Sequence, residues 1–157
     1  MIRRFACIAV VLALLTACGG GGMVRRISEP AASIQQLTVR ADGRWDVQLR
    51  INNFSSVAMR FGSTNLDIAF DNGAAAKLQS NPGIEIGQES ADVVTLTVSP
   101  LPAGRARLAT ALADGRGLNY SLTGTLQAAP LDGSSRDYKI KRDSALSPVP
   151  GLPGVLR

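Results

Sequence analysis

From Ile34 onward, apolar and polar residues alternate along the chain with a period of two. In Trp45-Asp-Val-Gln-Leu-Arg-Ile-Asn, the residues Trp45, Val47, Leu49 and Ile51 fall on one face, and Asp46, Gln48, Arg50 and Asn52 on the other. Such alternation predicts a strand with one side in a core and one in water. The stretch from Asn65 repeats the pattern with Leu66, Ile68 and Phe70 inward, and Asp71-Asn72-Gly73 ends it with residues that tolerate left-handed backbone. A hairpin returning through Lys77-Leu78 is expected. Asn81-Pro82-Gly83 marks another turn, Ile84 and Ile86 a short strand, and Asp92-Val-Val-Thr-Leu-Thr-Val a β-branched strand stopped by Pro100 and Pro102. Leu118, Tyr120, Leu122 and Leu126 alternate again, Tyr138 and Ile140 close the series, and Leu37 and Val39 open it. These segments predict an all-β fold, an immunoglobulin-like or fibronectin-III-like sandwich of about seven strands.

Two stretches break the period. Between Ala103 and Ala113, Leu108, Ala111 and Leu112 stand at helical spacing among alanines, which predicts a short helix. The Pro-rich tail from Ser147 to Arg157 cannot run through the middle of a sheet. Docking along the domain, disorder, and capture of a partner as polyproline II are its open readings, the first two preferred.

The first residues read differently. Arg3 and Arg4 precede an unbroken apolar run from Phe5 to Leu15, and small residues follow at Thr16-Ala17-Cys18-Gly19. This is the layout of an export signal, and its apolar run falls short of the roughly twenty residues that a spanning helix needs. Leu15-Thr16-Ala17-Cys18 resembles the lipobox of bacterial lipoproteins. The resemblance implies cleavage between Ala17 and Cys18, a diacylglyceryl group on the Cys18 thiol and acylation of the new amine. Each buried methylene contributes about 0.8 kcal/mol, so several chains hold a protein to a bilayer stably. Because Gly19 stands where inner-membrane lipoproteins of enteric-type bacteria carry Asp, the resemblance implies the outer membrane, with the domain facing the periplasm. The expected organisation is a signal peptide over 1–17, a lipidated Cys18 with a flexible tether over 18–33, a sandwich over 34–142 and a tail over 143–157, the four glycines 19–22 supplying the slack.

Composition narrows the chemistry. The chain has no histidine, which removes the commonest general base and transition-metal ligand and rules out a Ser-His-Asp nucleophile for Ser121 or Ser134. Its two cysteines, Cys7 and Cys18, both belong to the leader region, so the domain has no internal disulfide. Without Arg3 and Arg4, the 17 Lys and Arg become 15 against 12 acids, a mild +3. Arg105 with Arg107, and Lys139 with Lys141 and Arg142, read as solvated faces, so no nucleic-acid partner is expected. The carboxylates Asp67, Asp71, Glu85, Glu89 and Asp92 lack calcium-loop spacing and read as strand faces. Gly115-Arg-Gly117 is no phosphate loop, and Trp45 and Tyr120 read as core. No cofactor, metal, catalytic residue or small-molecule substrate emerges; the membrane, through Cys18, and a possible protein are the expected partners.

The order of features is similar to that of the late-embryogenesis-abundant type 2 family, which includes the water-stress and hypersensitive-response (WHy) domain. Leu49-Arg-Ile-Asn-Asn-Phe-Ser-Ser-Val matches a strand followed by the family's Asn-Pro-Asn-like turn. Leu66 to Gly73, Ile84-Glu-Ile-Gly, Val94 to Val98 and Leu122-Thr-Gly-Thr-Leu continue the series, so the resemblance covers Ile34 to Arg142. Asn53-Phe54-Ser55 departs from the pattern, since the turn proline is missing. Asn53 is expected to hold the turn by a side-chain-to-backbone bond and Phe54 to join the core. The resemblance implies a non-catalytic sandwich associated with desiccation and other stress. An adaptor in envelope assembly, offering an edge strand or the tail to a protein, is the alternative. An enzyme acting on an envelope polymer is disfavoured by the missing histidine and scattered acids.

Overall fold

A computed structural model of the chain describes residues 25–157. The expected cleavage and lipidation positions, Ala17 and Cys18, lie outside the described residues. The elements, in order, are β1 (Ala31–Val39), β2 (Trp45–Asn53), β3 (Met59–Phe70), β4 (Gly73–Ser80), β5 (Ile84–Ile86), β6 (Ser90–Val98), α1 (Pro102–Ala113), β7 (Leu118–Pro130), β8 (Arg136–Leu146) and β9 (Val155–Leu156). They form two antiparallel sheets, one ordered β6-β2-β1-β9 and the other β4-β3-β7-β8, with β5 extending the β3 edge beside β4. The all-β sandwich is as expected, with nine strands among the described residues where the sequence suggested about seven.

The period of two places the core between the sheets. Trp45, Val47, Leu49 and Ile51 face Leu66, Ile68, Phe70, Leu122 and Leu126, all of them fully buried. Trp45 lies against Phe70 with ring centroids 5.6 Å apart in a tilted pair. Tyr120 is in the core as expected, and its hydroxyl accepts a hydrogen bond from the Ile34 N–H (3.1 Å) across the sandwich. That N–H is set free because β1 slips register between Ile34 and Gln36 while pairing with β2, so the bulge and the buried phenol satisfy each other.

Asp71 and Asn72, at φ 44° and 65°, make the expected left-handed turn between β3 and β4. Gly124, at φ 146° in the middle of β7, has no substitute: a Cβ there would lie 2.2 Å from the Asn65 carbonyl oxygen. The bare backbone lets β3 and β7 close together. The expected helix is present. Pro102 opens it, and its Gly104 lies so near β4 that a Cβ would meet the Ala75 Cα at 2.5 Å. Arg105 and Arg107 stand on this helix, whose small-residue face, Gly104 and Ala111, takes the packing position.

The C-terminal segment departs from the expected boundary at 143. Residues to Leu146 finish β8, and Ser147 to Arg157 fold into a narrow hairpin that lays β9 on β1, with Leu37 opposite Leu156 and Thr38 opposite Val155. Donors and prolines alternate along this hairpin. The N–H groups of Ser147, Val149 and Leu152 are bonded (2.6, 2.9 and 3.1 Å), while Pro148, Pro150 and Pro153 occupy places where no donor is required. Leu156 is fully buried, and the Val39 N–H reaches the Gly154 carbonyl at 2.8 Å. Docking is thus the outcome for the tail, on a sheet edge that proline permits.

Candidate functional site

Two ends of the sandwich differ in character. At one, the chain enters through Arg25–Pro30 and the loops β2–β3, β5–β6 and β7–β8 meet; the helix and the tail gather toward the other. At the entry end the chain passes twice between the sheets, from β2 to β3 and from β5 to β6, and one side chain fastens both passages. Asn53 is buried; its Nδ2 donates to the carbonyls of Val57 (2.9 Å), Gly87 (2.8 Å) and Ile86 (3.2 Å), and its Oδ1 accepts from the Ser55 N–H (2.9 Å). The expected side-chain-to-backbone turn is therefore present, and the amide also spans a second loop, more than thirty residues away, that no local pattern links to it. Ser55 is also buried, and its carbonyl accepts from the Glu89 N–H at 3.0 Å.

Phe54 corrects the expectation that it joins the core. It is 50% exposed, because Asn53 and Ser55 turn inward at this loop and leave the residue between them outside.

The segment just before β1, expected as part of a flexible tether, is held against these loops. The Ser28 N–H donates to the Ser55 Oγ (3.0 Å), the Arg26 N–H to the Ser56 Oγ (2.8 Å), and the Ser56 N–H to the Arg26 carbonyl (3.0 Å). The Arg26 guanidinium reaches the Phe54 carbonyl (3.2 Å) and the Glu89 carboxylate (2.9 Å), and Arg25 grips Asp132 through two bonds of 2.7 and 2.6 Å. Arg25 holds the Asp132 carboxyl below its ordinary range, chiefly through that paired hydrogen bond. Exposed ion pairs contribute little stability each, but these fix where the chain leaves the domain, between the β2–β3 and β7–β8 loops. No local pattern signals them, since Arg25 and Asp132 are 107 residues apart.

The remaining candidate residues do not converge. Asp67 faces Lys77 at 3.5 Å, Glu85 is bonded by Arg60, and Glu89 by Arg26. Among the described residues, no three acidic or cysteine side chains come together as a metal site would require. A depression of about 530 Å³ beside the β3–β4 turn holds Asp71 and Asp143, with Tyr120 and Ser121 in its wall. Ser121 shares that depression with Asn72, Asn119 and Ser144, and Ser134 lies in a different hollow, near Arg25 and Tyr138. At the far end, Asp42 is pulled down to about 2 by hydrogen bonds from the Arg44 side chain and backbone, and Asp46 is lowered by the Thr97 hydroxyl and by Arg40. No described helix is long and apolar enough to cross a membrane.

The outer face of the second sheet is polar across its width. Lys139, Thr125, Asn65 and Gln79 form one row, and Lys141, Thr123, Asp67 and Lys77 the next, all of them exposed.

No family model and no curated protein matches the sequence. Among solved structures, a protein from Archaeoglobus fulgidus is similar with a TM-score of 0.43 and 14% identity, over 79% of this chain and 98% of that one. An X-ray structure of a structural-genomics target has a TM-score of 0.48 and 14% identity, over 81% and 92%. The solution structure of a protein from Arabidopsis thaliana has a TM-score of 0.52 and 8% identity, covering 82% of this chain and 84% of its own. At that identity the likeness to the Arabidopsis protein establishes a shared all-β fold and carries no activity across.

Proposed function

We propose that this chain is a lipid-anchored, non-catalytic β-sandwich of the late-embryogenesis-abundant type 2 kind, held in the outer membrane at Cys18 and facing the periplasm. It protects or binds other molecules through its surface. The observation that carries the proposal is the run Leu15-Thr16-Ala17-Cys18 followed by a glycine tether, after which a β domain begins. Asn53 supports the family resemblance: the turn lacks the family's proline, yet the asparagine ties it through four hydrogen bonds. The rows of exposed Thr, Asn, Gln and Lys on the second sheet support a protective role, since such groups offer hydrogen bonds to a client when water is withdrawn.

The test has two parts. Native protein and a Cys18→Ser variant are compared by intact mass and membrane fractionation, and acylated wild type in the outer-membrane fraction beside a soluble variant is the expected result. The full chain is then dried with a client enzyme, and recovered activity should exceed that given by an equal mass of an unrelated β-sandwich protein. Equal recovery would refute the protective reading.

The adaptor reading keeps one observation in its favour, the long β8, which has no neighbour beyond it in its sheet among the described residues. Since the tail is engaged on β1, β8 is the longest edge strand left to offer. Its Lys139, Lys141 and Arg142 are the kind of charges that discourage indiscriminate pairing. A stoichiometric crosslinked partner that is lost on placing proline at Lys141 would favour this second reading.

A further inference from the structure

Five large apolar side chains are exposed among the described residues: Ile27, Phe54, Leu101, Leu131 and Leu152. Three of them share the entry end. Phe54 and Leu131, 50% and 51% exposed, stand in the β2–β3 and β7–β8 loops, and Ile27 lies on the segment that bridges those loops. Leu101 is beside β4 and Leu152 is in the tail, away from that end.

We infer that the entry end of the sandwich meets the lipid bilayer directly, with Phe54 and Leu131 set into its interfacial layer. The inference rests on the lipid-anchor reading and adds to it a second contact, made by the folded domain. From Cys18 to Arg25 is seven residues. Even fully extended, that length of chain spans at most about 25 Å. The clasp of Arg25 on Asp132 and of Arg26 on Glu89 fixes the point of departure between the two apolar loops, so an anchored tether presents that end to the bilayer. A connection this short gives an effective concentration near the millimolar range, and a contact too weak to hold the free domain is then well populated.

The chemistry of the end selects apolar insertion over attraction to anionic headgroups. Arg25 and Arg26 are both committed to carboxylates and Arg136, in the same hollow as Arg25 and Ile27, is a single further cation, so the loops bring exposed apolar side chains and one guanidinium instead of a free basic cluster. The contact therefore depends only weakly on salt and on the proportion of anionic lipid. The sandwich stands on end, with α1 and the tail pointing into the periplasm and both sheet faces open to clients.

The experiment uses the full, acylated protein reconstituted into vesicles of neutral phospholipid with brominated acyl chains. Phe54→Trp, Leu131→Trp and Leu152→Trp variants are each read against the wild type, whose Trp45 is buried in the core and supplies a constant background. Leu152 is 49% exposed, so it matches the other two in accessibility but lies away from the entry end. The expected result is a blue shift and loss of emission by bromine at positions 54 and 131, little changed in high salt, and neither effect at 152. Equal, unquenched emission at all three positions overturns the inference while leaving the anchor intact. A blue shift at 54 that grows with protein density but ignores bromine also overturns it, in favour of a second copy covering this end. Intact mass measured on the same sample separates the two readings, because an unacylated Cys18 overturns the anchor itself and with it this orientation.

Discussion

Replacing Asn53 by alanine removes three donated bonds and one accepted bond from the point where both sheet crossovers at the entry end are tied. The four partners are not equally exposed. The carbonyls of Val57 and Gly87 are within reach of water, which can replace the lost amide, whereas the bonds to the Ile86 carbonyl and from the Ser55 N–H are buried. Leaving a buried polar group without a partner costs about 1–3 kcal/mol. Two such groups put Asn53→Ala at about 3 kcal/mol, a large share of the roughly 5–15 kcal/mol by which domains of this size are stable. The assay is urea unfolding followed through Trp45, whose burial makes its emission a reporter of the core. Asn53→Asp sharpens the test. A carboxylate keeps the acceptor for the Ser55 N–H but turns a second oxygen toward three carbonyls, so at pH 7 this variant should be less stable than Asn53→Ala. Its folded-state pKa is raised, so it gains stability as pH falls from about 7 toward 4. A cost below about 1 kcal/mol for alanine, or wild-type stability for aspartate at pH 7, would refute the reasoning.

Gly124→Ala forces a Cβ onto the Asn65 carbonyl and an unfavourable φ, so a loss of about 3 kcal/mol or more is expected in the same urea assay; a mild effect would mean β3 and β7 can move apart. Leu156→Ala opens a space over Leu37 at the sheet edge and should cost about 2 kcal/mol, with faster amide exchange at Val39, whose N–H is bonded to Gly154. Stability should be level from about pH 8 to 5, because the chain has no histidine to titrate there. Asp42, Asp46 and Asp132 are lowered in the folded state, so their contribution is complete above the ordinary carboxylate pKa and is lost as pH falls from about 4 toward 2. Thermal unfolding over that range checks the direction, and an Asp42→Asn variant should show a smaller acid loss.

What could be read from the sequence was what a strand writes at short range. Trp45 to Ile51 and Leu66 to Phe70 declare their inward faces by alternation, and Asp71-Asn72-Gly73 declares its turn by the backbone those residues accept. Phe54 misleads because an apolar letter beside a strand resembles core, while the interior there is filled by an asparagine whose three carbonyl partners lie in the β2–β3 loop and at the end of β5. β9 is hidden by the prolines that precede it, which lower the strand signal even though they fall where donors are unnecessary. Gly124 carries no outward sign that its φ is positive. The clasp formed by Arg25 and Arg26 depends on partners far along the chain, so no window of neighbouring residues contains it.

The pairing of Thr38 with Val155 joins the first strand of the domain to the last. Closing so long a span costs only logarithmically more entropy than closing a short one, but it has to wait for the intervening strands to find their places. Until then β1 has a partner on one side only, and its other edge is open to whatever strand arrives. A neighbouring copy carries the same tail and can lend it at no loss of pairing, with residues 147–154 as the hinge. A high concentration of copies during their folding therefore favours exchange of tails between them, and a low one favours each chain closing on itself.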